Sequence, residues 1–333
     1  TGGTGSVGQE ILQEILKYEP AVVRILDVDE TKQFELQQEY EDYDNVRFLL
    51  GDIRDKDRLS RAIEDIDIVF HTAALKHVLA CEYNPFEAVK TNAVGIQNLI
   101  DVTMDEEVEK VIFTSSDKAV NPTNVMGATK LLAERLITSA NYYKGGRKTV
   151  FSSVRFGNVL GSRGSVIPLF KNQIARGGPV TITNKEMTRF IMPMREAINL
   201  LFKATELALG GEIFIFKMNA IKITDLAEVI IEELATNYGY IPEGIEMEII
   251  GNKPGEKLYE ELMTEDEAGR GFESEDMFIV LPEMKELPPI DKSSYLSTSQ
   301  AEIKAYTSNT VKHLTKEEIR EILYQENLIE VVK

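Results

Sequence analysis

Asp117 and Lys118 stand side by side in the run Ser115-Ser116-Asp117-Lys118-Ala119-Val120-Asn121-Pro122, directly after the apolar stretch Val111–Thr114. A carboxyl and an amine at the end of a strand suit a reaction in which one proton is removed and another supplied. Open α/β sheets present their reacting groups at that end. An ordinary surface ion pair of small worth is the plainer reading. Adjacent side chains seldom face each other, however, so mutual neutralisation is not expected here. A few residues on, Met126-Gly127-Ala128-Thr129-Lys130 opens a helix that carries a lysine but no tyrosine. Met126 and Lys130, four apart, share one helix face. A thioether cannot transfer a proton.

The second signal is Thr1-Gly2-Gly3-Thr4-Gly5-Ser6-Val7-Gly8, followed by an apolar-periodic helix. Glycines at 2, 5 and 8 allow a tight turn, close approach of a pyrophosphate to the backbone, and tight packing of helix on sheet. Alone the motif could be an ordinary turn. Asp27 strengthens it: it closes the next strand 19 residues after Gly8, near where a carboxylate reads adenosine ribose hydroxyls. Gly51-Asp52-Ile53 follows a further strand, where a short acidic turn can meet an adenine. A 2′-phosphate would be repelled by Asp27 and finds no cation in Val28 or Asp29. Arg24 lies inside the strand, and Lys32 reads as remote. The expected cofactor is NAD, with NADP the alternative. Small Ala73 and Ala74 would let the backbone lie against it. Lys76, at the mouth of the crevice, could meet a diphosphate or a carbonyl. His77 reads equally well as a helix-start residue.

Alternation of short β-branched runs with helical patterns should position these groups. Strands are expected at 22–26, 46–50, 66–70, 110–113 and 150–155, with helices at 10–18, 57–63, 86–102 and 123–142. That order indicates an α/β fold: a doubly wound parallel (Rossmann) sheet covered by helices on both faces. A smaller C-terminal lobe should come from the later, looser segments. These include loops at 158–164 and 177–185, a glycine- and acid-rich stretch at 265–276, and a final helix at 316–326. The dinucleotide-binding domain is placed at 1–155, with about 195–240 returning to it as two helices around a strand at 212–216. The substrate lobe is placed at 156–194 and 241–333. A strand is expected ahead of the glycine-rich turn, and none precedes it in this sequence.

A net charge of −18, from 37 basic and 55 acidic residues, argues against nucleic acid or an anionic membrane as partner. An anionic substrate must then be held by local cations. The single cysteine, Cys81, allows no intrachain disulfide and fits a reducing cytoplasm. Three scattered histidines make a zinc site unexpected. No apolar run approaches the ~18 residues of a membrane span. A homo-oligomer is expected.

The chain resembles the extended short-chain dehydrogenase/reductases of polysaccharide biosynthesis, and among them the UDP-N-acetylglucosamine 4,6-dehydratases. Residues 116–130 carry the resemblance, with 74–78 (Ala-Leu-Lys-His-Val), 155–166, Met187-Thr188-Arg189-Phe190 and Lys253-Pro254-Gly255-Glu256-Lys257. It runs from residue 1 to about 265, with an echo at Tyr306-Thr307-Ser308-Asn309. In the family pattern Tyr-x-x-x-Lys occupies the helix of Met126 and Lys130; one large branch also has methionine there.

The resemblance implies that Thr4, Gly5, Ser6 and Val7 contact the cofactor pyrophosphate, Asp52 and Ile53 its adenine, and Lys130 the nicotinamide ribose, with Val159 also near the cofactor. It implies substrate contacts from Lys76, Ser115, Asn158 and the loop Arg163, Gly164, Ser165 and Val166, with Arg189 and Lys253 near the diphosphate or uridine of a UDP-sugar. Asp117 and Lys118 would carry the proton transfers of elimination. Lys118 suits the base if burial lowers its pKa, and Asp117 the acid if its setting raises it. Two other readings stand beside this one. A UDP-sugar 4-epimerase needs only hydride removal and return at C4, with a tyrosine-type base. A cofactor-binding protein would have kept the fold and lost catalysis.

Overall fold

The computed structural model describes residues 1–283, 295, 299–302 and 304–329. Its first half alternates α1 (Ser6–Ile15), β1 (Val23–Asp27), α2 (Glu30–Glu39), β2 (Val46–Leu50), α3 (Lys56–Ile63), β3 (Ile68–His71), α4 (Val78–Tyr83), α5 (Pro85–Val89), α6 (Gly95–Asp105), β4 (Lys110–Ser116), α7 (Val125–Tyr143) and β5 (Val150–Phe156). Then come β6 (Asn158–Val159), α8 (Val166–Ile174), β7 (Val180–Ile182), β8 (Thr188–Met192), α9 (Met194–Leu207), β9 (Ile213–Phe216), β10 (Asn219–Lys222) and α10 (Ile223–Leu234). The last elements are β11 (Met247–Ile249), β12 (Glu261–Met263), α11 (Glu265–Ala268), β13 (Gly271–Glu273), β14 (Met277–Val280), β15 (Ser299–Gln300), β16 (Tyr306–Thr307) and α12 (Lys316–Gln325).

The main sheet runs β3-β4-β5-β9-β14-β13-β15. Its first four strands are parallel, and the last three join antiparallel. β1 and β2 form a separate parallel pair. Between β1 and β3 lies an apolar cavity of about 310 Å³, lined by Ile11, Val23, Ile25, Val69 and Phe70 among others. The first residues tie β1 to β3: Gly2 N donates to Leu26 O (2.8 Å), and the Thr1 amino group donates to Phe70 O (3.0 Å).

The lobes divide differently from the sequence expectation. β9 joins the main sheet, but β10 pairs with β8, and α10 packs against α8 and α12. Residues 219–234 therefore sit with the lobe. Conversely, β13, β14 and β15, expected in the lobe, extend the main sheet. All four residues of β14 are buried, and such a strand needs both faces covered, which the central sheet provides. The glycine- and acid-rich stretch opens on α11, where Thr264 and Glu267 form a capping box. The loops expected at 158–164 and 177–185 hold β6 and β7, too short to show a period. The single helix expected at 86–102 is two helices joined by a π turn at 90–94.

One buried ion cluster ties these layers together. Arg155 on β5, 1% exposed, forks onto Glu134 of α7 (Nε–Oε1 3.0 Å, Nη2–Oε2 2.6 Å) and Glu267 of α11 (3.0 Å to each oxygen). Its Nη1 also donates to Leu262 O at 2.8 Å. Each carboxylate is matched to a planar fork.

Candidate active site

Gly2 turns at φ +70°, and a Cβ there would lie 2.5 Å from Ala73 N. A Cβ on Gly8 would lie 2.5 Å from Gly2 O. Any side chain at these two positions would push the turn away from the sheet, so glycine sets its height. Above it opens a cavity of about 710 Å³. Its lining includes Gly2, Thr4, Gly5, Ser6, Val7, Gly8, Asp27, Asp52, Ile53, Ala73, Ala74, Lys76, Ser115 and Lys130. Asp27 is already engaged there. Its Oδ2 accepts from Thr4 N (3.0 Å) and Thr4 Oγ1 (2.8 Å), and its Oδ1 from Asp29 N (3.1 Å). The carboxylate thus fastens the glycine-rich turn to β1. Asp52 bonds Arg54, whose side chain holds its carboxyl below the usual range. Lys32, expected to be remote, lines this end as well, paired with Asp29.

The acid/base pair departs from expectation. Asp117 and Lys118 lie in a 3-10 turn after β4, where the Ser116 hydroxyl accepts from Lys118 N (3.0 Å) and donates to Asp117 Oδ1 (3.0 Å). That turn folds both side chains together, and Lys118 Nζ lies 2.9 Å from Asp117 Oδ1. Glu260 Oε1 stands 3.6 Å from the same ammonium. Burial alone would lower the Lys118 pKa, but the Asp117 and Glu260 carboxylates outweigh it and hold it above the ordinary lysine value. Lys118 is therefore an ammonium at rest, against the expectation of a lowered pKa. Asp117 is 1% exposed. Among the described residues, its Oδ2 and the Ser115 Oγ are buried without a hydrogen-bond partner; Ser115 lines the larger cavity, and Asp117 sits behind Lys118, which lines a smaller one.

Lys130 is buried, donates to Thr114 O (3.0 Å) and lies 4.6 Å from the Phe113 ring centre. Burial lowers its pKa to about 8. Met126, a candidate for the reacting machinery, is instead packed with Cys81 and Ala88 and lines neither ligand cavity. Its thioether is apolar and faces α4 and α5. Met126→Leu, which keeps the volume, should cost less than about 1.5 kcal/mol and leave turnover near the unmodified rate. A turnover assay checks this: lost activity in a stable variant would put the thioether in the chemistry. Val159, expected at the cofactor, lies in the main core.

A smaller cavity of about 180 Å³ opens beside Lys118, lined by Asn158, Arg189, Lys253, Glu256, Lys257 and Glu260 among others. Arg189 is buried, with its guanidinium donating to Thr188 O (2.7 Å) and Lys257 O (3.0 Å). Arg163, expected at the substrate, reaches the glycine-rich turn: its Nη2 donates to Thr4 O (3.2 Å) and its backbone N to Ser6 Oγ (3.1 Å). Lys76 Nζ donates to Arg163 O (2.7 Å), so the loop straps both sides of the larger cavity. Gly164 turns at φ +73° against the His77 ring, Ser165 Oγ is buried without a hydrogen-bond partner among the described residues, and Val166 opens α8. Glu260 and Lys257 were missed. They lie in or just beyond the motif 253–257, and their acid and base character was the only available signal.

The polysaccharide biosynthesis protein family model matches residues 1–282. A protein of Methanocaldococcus jannaschii called an uncharacterized membrane protein is 59% identical, covering 97% of this chain and 93% of its own. Among the described residues here, no helix is long and apolar enough to cross a membrane. A UDP-N-acetylglucosamine 4,6-dehydratase (inverting) of Campylobacter jejuni is 42% identical over 86% of this chain and 82% of its own. The X-ray structure of Pen from Bacillus thuringiensis superposes with a TM-score of 0.92 at 50% identity, covering 99% of this chain and 97% of that one. With its doubly wound sheet, glycine-rich turn and adjoining acid–base pair, the chain is an enzyme of the polysaccharide biosynthesis protein family, an extended short-chain dehydrogenase/reductase.

Proposed function

We propose that this chain is a nucleotide-sugar 4,6-dehydratase, with NAD as cofactor and UDP-N-acetylglucosamine as substrate. The larger cavity fits a dinucleotide: a turn that admits no Cβ at Gly2 or Gly8, a helix N-terminus above it, and the unpartnered Ser115 Oγ at its far end. Thr4 to Val7 would hold the pyrophosphate, Asp27 the adenosine ribose, Asp52 and Ile53 the adenine, and Lys130 the nicotinamide ribose. When bound, the nicotinamide supplies a reversible hydride acceptor at the sugar C4 and donor at C6.

The observation that carries the reading is the Asp117–Lys118 pair, its carboxylate buried and its ammonium half-buried, with Asp117 Oδ2 unpartnered among the described residues. A 4-keto sugar has an acidic C5 hydrogen and a 6-hydroxyl that can leave. Asp117 Oδ2 accepts the C5 proton, the released electron pair forms the C5–C6 double bond, and the C6–O bond breaks. The Lys118 ammonium donates its proton to the departing oxygen, and water leaves. C5 regains a proton and Asp117 gives one up as C6 takes its hydride, and the proton released from the 4-hydroxyl makes good the one that Lys118 gave. The raised pKa of Lys118 supports it as the acid, the reverse of the sequence expectation. Epimerisation at C4 has no use for this pair.

Incubation of the holoenzyme with UDP-N-acetylglucosamine, read by mass spectrometry, should show loss of one water. An unchanged mass with an inverted C4 would identify an epimerase. Bound dinucleotide with no turnover would identify a lapsed binding protein. Asp27→Ala should weaken NAD binding and relax discrimination against NADP. Tighter binding of NADP than NAD by the unmodified protein would contradict the cofactor assignment.

A further inference from the structure

We propose that Glu260 is a positioning residue for the acid–base pair, an anion fixed behind Lys118 that keeps its ammonium turned to Asp117. The inference rests on the dehydratase reading of the site. Glu260 is 3% exposed, and its backbone is clamped by Ser308, with Glu260 N donating to Ser308 Oγ (2.9 Å) and Ser308 N to Glu260 O (2.8 Å). Its Oε1 lies 3.6 Å from both Lys118 Nζ and Arg189 Nε, while Oε2 is buried without a hydrogen-bond partner among the described residues. A carboxylate this deep is retained at a solvation cost that only nearby cations offset.

The other charges around it already have partners. Lys257 donates to Val120 O (2.6 Å), Glu256 sits 3.5 Å from Arg189, and Glu261 accepts from Asn121 (2.6 Å). Asp117 supplies the remaining negative charge on Lys118. Glu260 is the second anion on that ammonium and Asp117 the first. Without Glu260, the repulsion of Lys118 by Arg189 would be offset on that side only by Glu256, beside Arg189 Nη2. Burial raises the Glu260 pKa and Asp117 adds to the rise; Lys118, Arg189 and Lys257 act against it.

Glu260→Gln keeps the shape and removes the charge. An opposite charge within about 4–6 Å moves a pKa by about 1–3 units, so the alkaline limb of the kcat profile should move down by about one pH unit or more. KM should change little, and Glu260→Asp should restore part of the limb. A purely structural role would lower Tm and leave the limb in place, which would overturn the proposal. A readout independent of turnover is trace acetylation of Lys118 by acetic anhydride across pH, located by mass spectrometry. Lys118 should label at lower pH in Glu260→Gln than in the unmodified protein, and an unchanged labelling curve would overturn the proposal. If the unmodified protein makes no keto sugar, the dehydratase reading fails, while the labelling curve still decides the role of Glu260.

Discussion

Lys118→Ala and Asp117→Asn are each expected to slow keto-sugar formation by about 10²–10⁴-fold, the usual contribution of a general acid or base. Bound dinucleotide should be retained, because neither residue lines the larger cavity. The two act on one elimination, so the double variant should fall well short of the product of the single losses. Lys118 must carry its proton to donate it, and neighbouring anions hold its pKa above the ordinary value. Activity should therefore persist on the alkaline side and be lost only as pH rises through that raised pKa. Single-turnover rates and dinucleotide absorbance measure both effects. Near-normal turnover in both variants would contradict the assigned roles.

The second large effect concerns stability. Arg155→Met removes the cation between Glu134 and Glu267 and leaves two buried carboxylates facing each other. Breaking a buried ion pair from one side typically costs about 3–5 kcal/mol. Burial would raise the Glu267 pKa, but Arg155 outweighs it and holds that pKa below the usual range. In the unmodified protein this contribution is present above the unfolded carboxyl pKa and is lost as pH falls through the lowered one. The deficit of Arg155→Met should accordingly be full at neutral pH and shrink in acid. Urea unfolding of both proteins at neutral and acid pH checks this. Equal midpoints at neutral pH would show that the cluster holds nothing together.

The parallel β–α half was legible because Ile68–His71 and Lys110–Ser116 are short apolar strands bounded by turn residues, and Asp27 at the end of the next strand supports the glycine-rich turn. The later half was less legible. β14 is apolar on both faces, and nothing local says that it returns to the main sheet. β6 and β7 have too few residues to show a period. Within the site, the residue types of Asp117, Lys118, Ser115 and Lys130 were readable, but their charge states were not. The Lys118 pKa depends on Glu260, 142 residues away in sequence, which only the fold brings to 3.6 Å. Arg163, a substrate contact by the resemblance alone, also reaches Thr4 across the chain, a pairing that no local signal gives. Met126 was legible as an absence of tyrosine, while its burial beside Cys81 was not.

The central claim is that hydride leaves C4, water leaves across C5–C6, and hydride returns to C6 of the same sugar. UDP-N-acetylglucosamine carrying deuterium at C4 tests it most directly, with the product read by NMR. The deuterium should appear in the C6 methyl group of a 4-keto sugar. Deuterium found at C4 of an epimer, or retained in unchanged substrate by holoenzyme with its dinucleotide bound, would contradict it.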